Sequence, residues 1–340
     1  RLVEIGLVPF GAIGMTIFTL DLFFASPSFA SQTDGSISEV LASSANWRVL
    51  FDLFAASVFG GFFIVPLYAQ IQLKSAPERR SRVIAGNNVL NALFMVASAV
   101  ASIVLLEVGV TIPQLFAVLA IMNAAVACYI FTLVPEFLLR FIVWLLVNTV
   151  YRLKVQNIDV IPREGPAVVA ANHVSFVDAL VIAAACRRPI RFVMDHRIFK
   201  MPIVKFVFKV SGAIPIAPAK EDPKMMEMAF ETVANALEAG DVVGIFPEGK
   251  ISLDGELNAF RPGIEKIIER TPAPVVPMAL RGLYGSFFSR DGGAAMSQPW
   301  RLLTDFRRPI ELSVGSLVDP NDLDAEQLGQ QVAELRGDRP

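Results

Sequence analysis

The stretch "AVVAANHVSFVDAL", residues 167–180, decides how the second half of this chain folds. It begins as a short apolar run, breaks at an Asn-His pair and resumes with helical composition from about residue 175. An apolar run of this length, closed by a turn, reads as a strand buried on both faces. The texture repeats downstream. "IRFVM" (190–194), "AIPIA" (213–217), "VVGIF" (242–246), "PVVPMAL" (274–280) and "IELSVG" (310–315) alternate with expected helices over about 175–186, 197–210, 223–239 and 262–270. Such alternation predicts an α/β domain whose mostly buried mixed sheet is flanked by helices.

Upstream the chain changes character. Apolar segments fill 2–24, 49–73, 83–106 and 112–134. Each has about 20 residues or more, enough to cross a hydrocarbon core of about 30 Å at about 1.5 Å per residue. A mean hydropathy of +0.54 fits a chain partly in lipid. The expected fold class is therefore four transmembrane α-helices followed by the α/β domain. Its parts are a membrane domain over 1–134, an interfacial amphipathic linker helix over 135–155, the α/β domain over 156–320, and a C-terminal helix or linker over 321–340. The connection "KSAPERRSR" (74–82) is basic, whereas 25–46 and 107–112 hold no Lys or Arg. The positive-inside rule puts 74–82, and with it everything after the fourth span, on the cytoplasmic side of the cell (inner) membrane. The start at Arg1, within an apolar segment, reads as a piece of a longer protein.

Net charge is −2, from 30 basic and 32 acidic residues, so no nucleic-acid partner is expected. Cys128 and Cys186 are too few for a disulfide framework or a thiolate zinc site, and both read as buried hydrophobes. With two histidines in the chain, no metal site is expected. Neither G-x-G-x-x-G nor G-x4-GK[ST] occurs, so no cofactor is expected.

His173 and Asp178 are five residues apart. On one regular helix that spacing separates side chains by about 140°, so they would not meet. They meet if His173 lies in the turn before a helix whose first turn carries Asp178, with Asn172 or Ser175 as N-cap. An imidazole oriented by a carboxylate keeps its other nitrogen for a hydroxyl proton. Alone, the spacing fits a polar turn histidine as well. A second motif, "VVGIFPEGKIS" (242–252), places Glu248, Gly249 and Lys250 at the carboxyl end of another buried strand, where sites of open α/β sheets collect.

Together, "NHVSFVD", "SGAIPIA", "FPEGKIS" and "VVPMAL" resemble, in order and spacing, the four blocks of the glycerolipid acyltransferases marked by HX4D: the lysophospholipid and lysophosphatidate acyltransferases. The resemblance implies His173 as general base, Asp178 as its orienting group, and Glu248 and Gly249 as acceptor-binding residues; Lys250, Ser252, Arg261 and Lys220 are further candidates for binding the substrate. It further implies acyl-ACP or acyl-CoA as donor, a lysophospholipid as acceptor and a lipid bilayer as the third partner. Lys250 and Ile251 stand where the family carries Thr and Arg, and "GAIPIAP" offers no cation before Lys220. These departures favour a singly charged acceptor such as lysophosphatidylethanolamine over lysophosphatidate, unless Arg261 supplies the missing charge.

"VEIGLVPFGAIGM" (3–15) and "VPLYAQIQLKSAPERRSRVIAGNNVLNALFMV" (65–96) resemble C-terminal spans of lysophospholipid transporters of the major facilitator superfamily, which some bacteria fuse to an acyltransferase and an acyl-ACP synthetase. That leaves a rival reading of the chain as a transporter fragment with an accessory lipid-binding domain, in which Asn87, Asn88 and Asn91 serve either transport or helix packing. His196, with Arg197, Lys200, Lys205 and Lys209, is expected on a basic amphipathic helix facing lipid, an acidic carrier or solvent.

Overall fold

The computed structural model describes residues 7–29, 37–133, 135–200 and 207–337, which form two compact units divided between Phe141 and Ile142. In the first unit, α1 (Leu7–Phe29), α3 (Ser44–Lys74), α4 (Arg80–Glu107) and α5 (Ile112–Leu133) are long and apolar enough to cross a membrane. Their limits match the four expected spans to within a few residues, although residues 2–6 and 134 lie outside the described residues. The connection expected over 25–46 is partly helical: α1 runs to Phe29, and α2 (Ile37–Ala42) lies before α3.

Close approach of α1 and α3 depends on missing side chains. A Cβ on Gly11 would lie 2.5 Å from the Phe63 nitrogen, and one on Gly14 would enter the Phe59 ring. Asn87 and Asn91 both donate their amides to the Tyr68 hydroxyl, at 2.9 and 2.7 Å, which ties α4 to α3. Those two asparagines therefore pack helices. Cys128 on α5 is exposed, against expectation, because none of the described residues covers it; Cys186 is buried.

Helix α6 (Pro135–Val150) is shorter than the expected linker, since residues 151–156 form strand β1 (Tyr151–Gln156). The α/β domain thus begins before residue 156. It continues with β2 (Ala167–Ala171), α7 (Asp178–Ala185), β3 (Ile190–Asp195), β4 (Ile214–Ile216), α8 (Pro223–Glu238), β5 (Val242–Ile245), α9 (Gly263–Arg270), β6 (Val275–Arg281), α10 (Arg301–Thr304), β7 (Arg308–Val314) and α11 (Ala325–Arg336). The seven strands are ordered β1-β7-β6-β2-β5-β3-β4, all pairs parallel except β6 with β7. Of the helix expected over 197–210, residues 197–200 belong to a 3-10 turn, 201–206 with Lys205 lie outside the described residues, and 207–210 are helical. His196 does not stand on a basic face. Its ring is mostly covered, within 3.5 Å of both Asp195 and Glu221.

Strand β2 sits near the middle of the sheet with all five residues buried. Successive side chains of a strand point to opposite faces. Ala167, Val169 and Ala171 accordingly pack with Val181 and Ile182 of α7, while Val168 and Ala170 pack with Val233 and Leu237 of α8 and Ile264 of α9. Because β2 and β5 are parallel neighbours, paired from Ala167↔Val242 to Ala170↔Ile245, their carboxyl ends emerge side by side. That register brings residues some 75 positions apart into one place.

Candidate active site

The chain leaves β2 under tight control. Asn172 is buried, and its side-chain amide donates to the Leu280 carbonyl at 3.0 Å while its oxygen accepts from the Leu280 N–H at 2.7 Å, fixing the end of β2 to β6. It does not cap a helix. Ser175 does not fill the expected capping role either: its hydroxyl only accepts from the Val177 N–H at 3.4 Å. Asp178, the first residue of α7, reaches back instead. Its Oδ2 accepts from the backbone N–H groups of Val174 (2.7 Å) and Ser175 (2.8 Å) and lies 2.8 Å from His173 Nδ1. His173 is thus in the turn before the helix, as the spacing requires if the pair is to meet.

Two N–H donors already point at Oδ2, so that oxygen accepts from Nδ1 and the ring proton resides on Nδ1. The ring stacks on Phe246 at 4.1 Å between centroids and 14°, and Phe246 stacks in turn on Phe192. Among the described residues no hydrogen bond engages Nε2. His173 is 21% exposed, and it lines a cavity of about 720 Å³ whose walls include Ala179, Val193, Ile216, Phe230 and Ile264. A basic nitrogen therefore faces a largely apolar space. Asp178 itself is fully buried, and its Oδ1 has no hydrogen-bond partner among the described residues.

The second motif forms the turn after β5. Gly249 has φ +65°, a conformation open to glycine at little cost, and its N–H donates to the Phe246 carbonyl, so it is not free to meet an oxyanion. A Cβ there would lie 3.0 Å from the guanidinium of Arg261, which rests on the turn. Glu248 is 1% exposed and faces inward. Its Oε1 accepts from the His173 N–H at 2.6 Å, and its Oε2 accepts from the backbone and side-chain nitrogens of Asn258 at 2.9 and 2.7 Å. Burial pushes its carboxyl up from the usual range, and these hydrogen bonds oppose the shift. The Ser252 N–H donates to the His173 carbonyl at 2.8 Å; its hydroxyl donates to the Glu256 carbonyl, and the residue is buried. Glu248 and Ser252 therefore grip the main chain of His173 from both sides, and neither lines the cavity. Exposed Lys220 does not line it either.

Lys250 and Arg261 do line it, together with Arg290, which no motif marks because it lies in the long connection after β6. None of these three forms an ion pair among the described residues. Nor do any three His, Cys, Asp or Glu side chains cluster as metal ligands among the described residues.

If Glu248 holds the base in place, Glu248→Gln, equal in size, sets an amide NH2 against an N–H donor of His173 or Asn258. A buried donor left unmet costs about 1–3 kcal/mol. The expected result is a lowered Tm and a lowered kcat with acceptor KM nearly unchanged, read by thermal unfolding and steady-state assay.

Residues 152–281 match the acyltransferase family. The match runs from β1 to the end of β6 and includes His173, Asp178 and the 248–250 turn. The chloroplastic 1-acyl-sn-glycerol-3-phosphate acyltransferase LPAT1 of Arabidopsis thaliana is 29% identical over 133 residues, 39% of this chain and 36% of that protein. A probable 1-acyl-sn-glycerol-3-phosphate acyltransferase of Mycoplasma genitalium is 25% identical over 176 residues, 49% of this chain and 64% of the relative. The chain thus spans between about a third and two thirds of these relatives. The crystal structure of the 1-acyl-sn-glycerophosphate acyltransferase PlsC from Thermotoga maritima superposes with a TM-score of 0.45 at 20% identity, covering 60% of this chain and 83% of that one. The acyltransferase match takes in the whole histidine-aspartate site and leaves β7, α10 and α11 outside it.

Proposed function

We propose that this chain is an O-acyltransferase that moves a fatty acyl group from a thioester to the free hydroxyl of a lysophospholipid. The observation that carries the reading is the His173 Nδ1 to Asp178 Oδ2 hydrogen bond, with Nε2 open to an apolar cavity. Nε2 takes the proton of the acceptor hydroxyl, and the buried Asp178 carboxylate stabilises the resulting imidazolium. The acceptor oxygen bonds to the thioester carbonyl carbon, the carbon-sulfur bond breaks, and the leaving thiolate recovers the proton from Nε2. Acyl-CoA and acyl-ACP both supply such a thioester. No acyl-enzyme is required.

Lys250, Arg261 and Arg290 supply the charge for the acceptor phosphate. A preference for lysophosphatidylethanolamine rested on a shortage of cations in the motifs. Of the three arginines that line the cavity, Arg197 is paired with Glu221 and Arg261 and Arg290 form no ion pair among the described residues, so that reason lapses, and lysophosphatidate, the type of acceptor named for the relatives, becomes the acceptor we favour. The cytoplasmic placement of the domain, and the origin of the membrane unit in transporter-like spans, remain part of this proposal on the strength of the basic 74–82 connection and the quoted span motifs. The transport reading itself is weakened, because Asn87 and Asn91 are occupied in packing.

The test is acyl transfer by the full chain in lipid vesicles, from palmitoyl-CoA and palmitoyl-ACP to lysophosphatidate and lysophosphatidylethanolamine. Arg261→Ala is expected to raise KM for lysophosphatidate about tenfold, as loss of a charged hydrogen bond does, with a smaller effect on kcat. No transfer to any lysophospholipid from either donor overturns the proposal.

A further inference from the structure

The connection from β6 to β7 carries a feature that acyl transfer does not use. Around α10, Trp300, Leu302, Leu303 and Phe306 are all exposed, Leu303 to 82%. Four large apolar side chains within seven residues form a concentration that a surface facing only water rarely carries. The base beneath them is braced. Asp305 is buried and accepts from the Phe287 N–H at 2.6 Å and from Arg308 at 2.9 Å, while Arg301 is bound to Asp291 at 2.8 Å and Arg308 donates to the Gly282 carbonyl. The apolar side chains are therefore held outward by a fixed scaffold.

We propose that this patch docks the α/β domain on an anionic lipid leaflet and is the face through which lipid chains reach the cavity of His173. Three observations favour lipid over a protein partner. Arg290 and Arg307 are exposed beside the patch and form no ion pair among the described residues; tryptophan and arginine around aliphatic side chains is the composition of membrane-interface segments. The patch is also tied to the end of α6: the Arg307 N–H donates to the carbonyl of Val150, the last residue of that helix, which exposes Trp144 and Leu146. α6 in turn begins two residues after α5, one of the helices of membrane-spanning length. Finally, a second cavity of about 730 Å³, lined by Leu253 and Met296, shares Phe176 and Arg290 with the cavity of His173. The second cavity thus joins that of His173 to residues 292–296 of the same connection that carries the patch.

The test places a nitroxide at Leu303→Cys in the full chain, with Cys128→Ser and Cys186→Ala, reconstituted in phosphatidylethanolamine-phosphatidylglycerol vesicles. A label at exposed Lys224→Cys on α8 is the reference. At 303, collisions with oxygen are expected to exceed those with a water-soluble nickel chelate, the reverse of the reference. A water-like ratio at 303 overturns the proposal, and so does dipolar broadening between labels, which would assign the patch to a second copy. A second arm uses Leu302→Ser with Leu303→Ser. KM for palmitoyl lysophosphatidate in vesicles is expected to rise about tenfold, while turnover of soluble hexanoyl lysophosphatidate stays unchanged; an equal loss on both overturns the entry role. The entry role rests on the acyl-transfer reading, whereas the depth measurement does not, so failure of one is distinguishable from failure of the other.

Discussion

His173→Ala is expected to reduce acyl transfer by about 100-fold to 10,000-fold, the contribution of a positioned general base. The loss falls in kcat, since the cations that line the cavity are untouched. The fold should survive, because what anchors residue 173 is main chain: its N–H is held by Glu248 and its carbonyl by the Ser252 N–H, and alanine keeps both. The ring contributes its stack on Phe246 and one hydrogen bond to Asp178, so a modest fall in Tm is expected. The check is steady-state transfer to lysophosphatidate beside thermal unfolding of the same preparation. Turnover equal to wild type in a folded variant removes His173 from the chemistry.

Asp178→Asn is expected to cost kcat a similar factor, about 100-fold to 10,000-fold, with acceptor KM nearly unchanged. The amide oxygen can still accept from Val174, Ser175 and His173, so the turn keeps its shape. The negative charge facing the imidazolium is gone. The new NH2 occupies the place of Oδ1, which is buried and has no hydrogen-bond partner among the described residues, so an unmet donor adds about 1–3 kcal/mol of destabilisation. A large loss of kcat with a small loss of Tm separates the electrostatic role from a structural one. Equal kcat in the two proteins would mean that the charge plays no part.

Much of this was legible in the sequence because it rests on local periodicity. "AVVAA" and "VVGIF" are strands buried on both faces, and continuous apolar runs between turns can be little else in a domain of alternating helices. The helical angle showed that His173 has to precede the helix if it is to meet Asp178. Strand β1 was not legible: "YRLKVQ" continues directly from an apolar helix, has half-exposed positions and gains its identity only by pairing with β7. The tasks of Asn172 and Glu248 were hidden for a related reason. Their partners are backbone groups brought near by the sheet, and Asn258 and Leu280 carry no signal of the pairing in their own neighbourhoods. Arg290 reaches the cavity from a connection with no motif, so only tertiary placement reveals it. Ser252 and Lys220 looked like ligands because they stand in or near the motifs, yet one is sealed beneath the turn and the other lies outside the cavity lining.

The grip of Glu248 and Ser252 on the main chain of His173 has a consequence for selectivity. The turn over 247–252, which on the proposed reading presents Lys250 to the incoming lipid, is hydrogen-bonded to the backbone that carries the base. A bulkier headgroup that pushes this turn aside also withdraws Nε2 from the hydroxyl it must deprotonate. Discrimination among headgroups should then surface in turnover more than in occupancy: a poorly fitting lysophospholipid binds, holds the site, and reacts slowly.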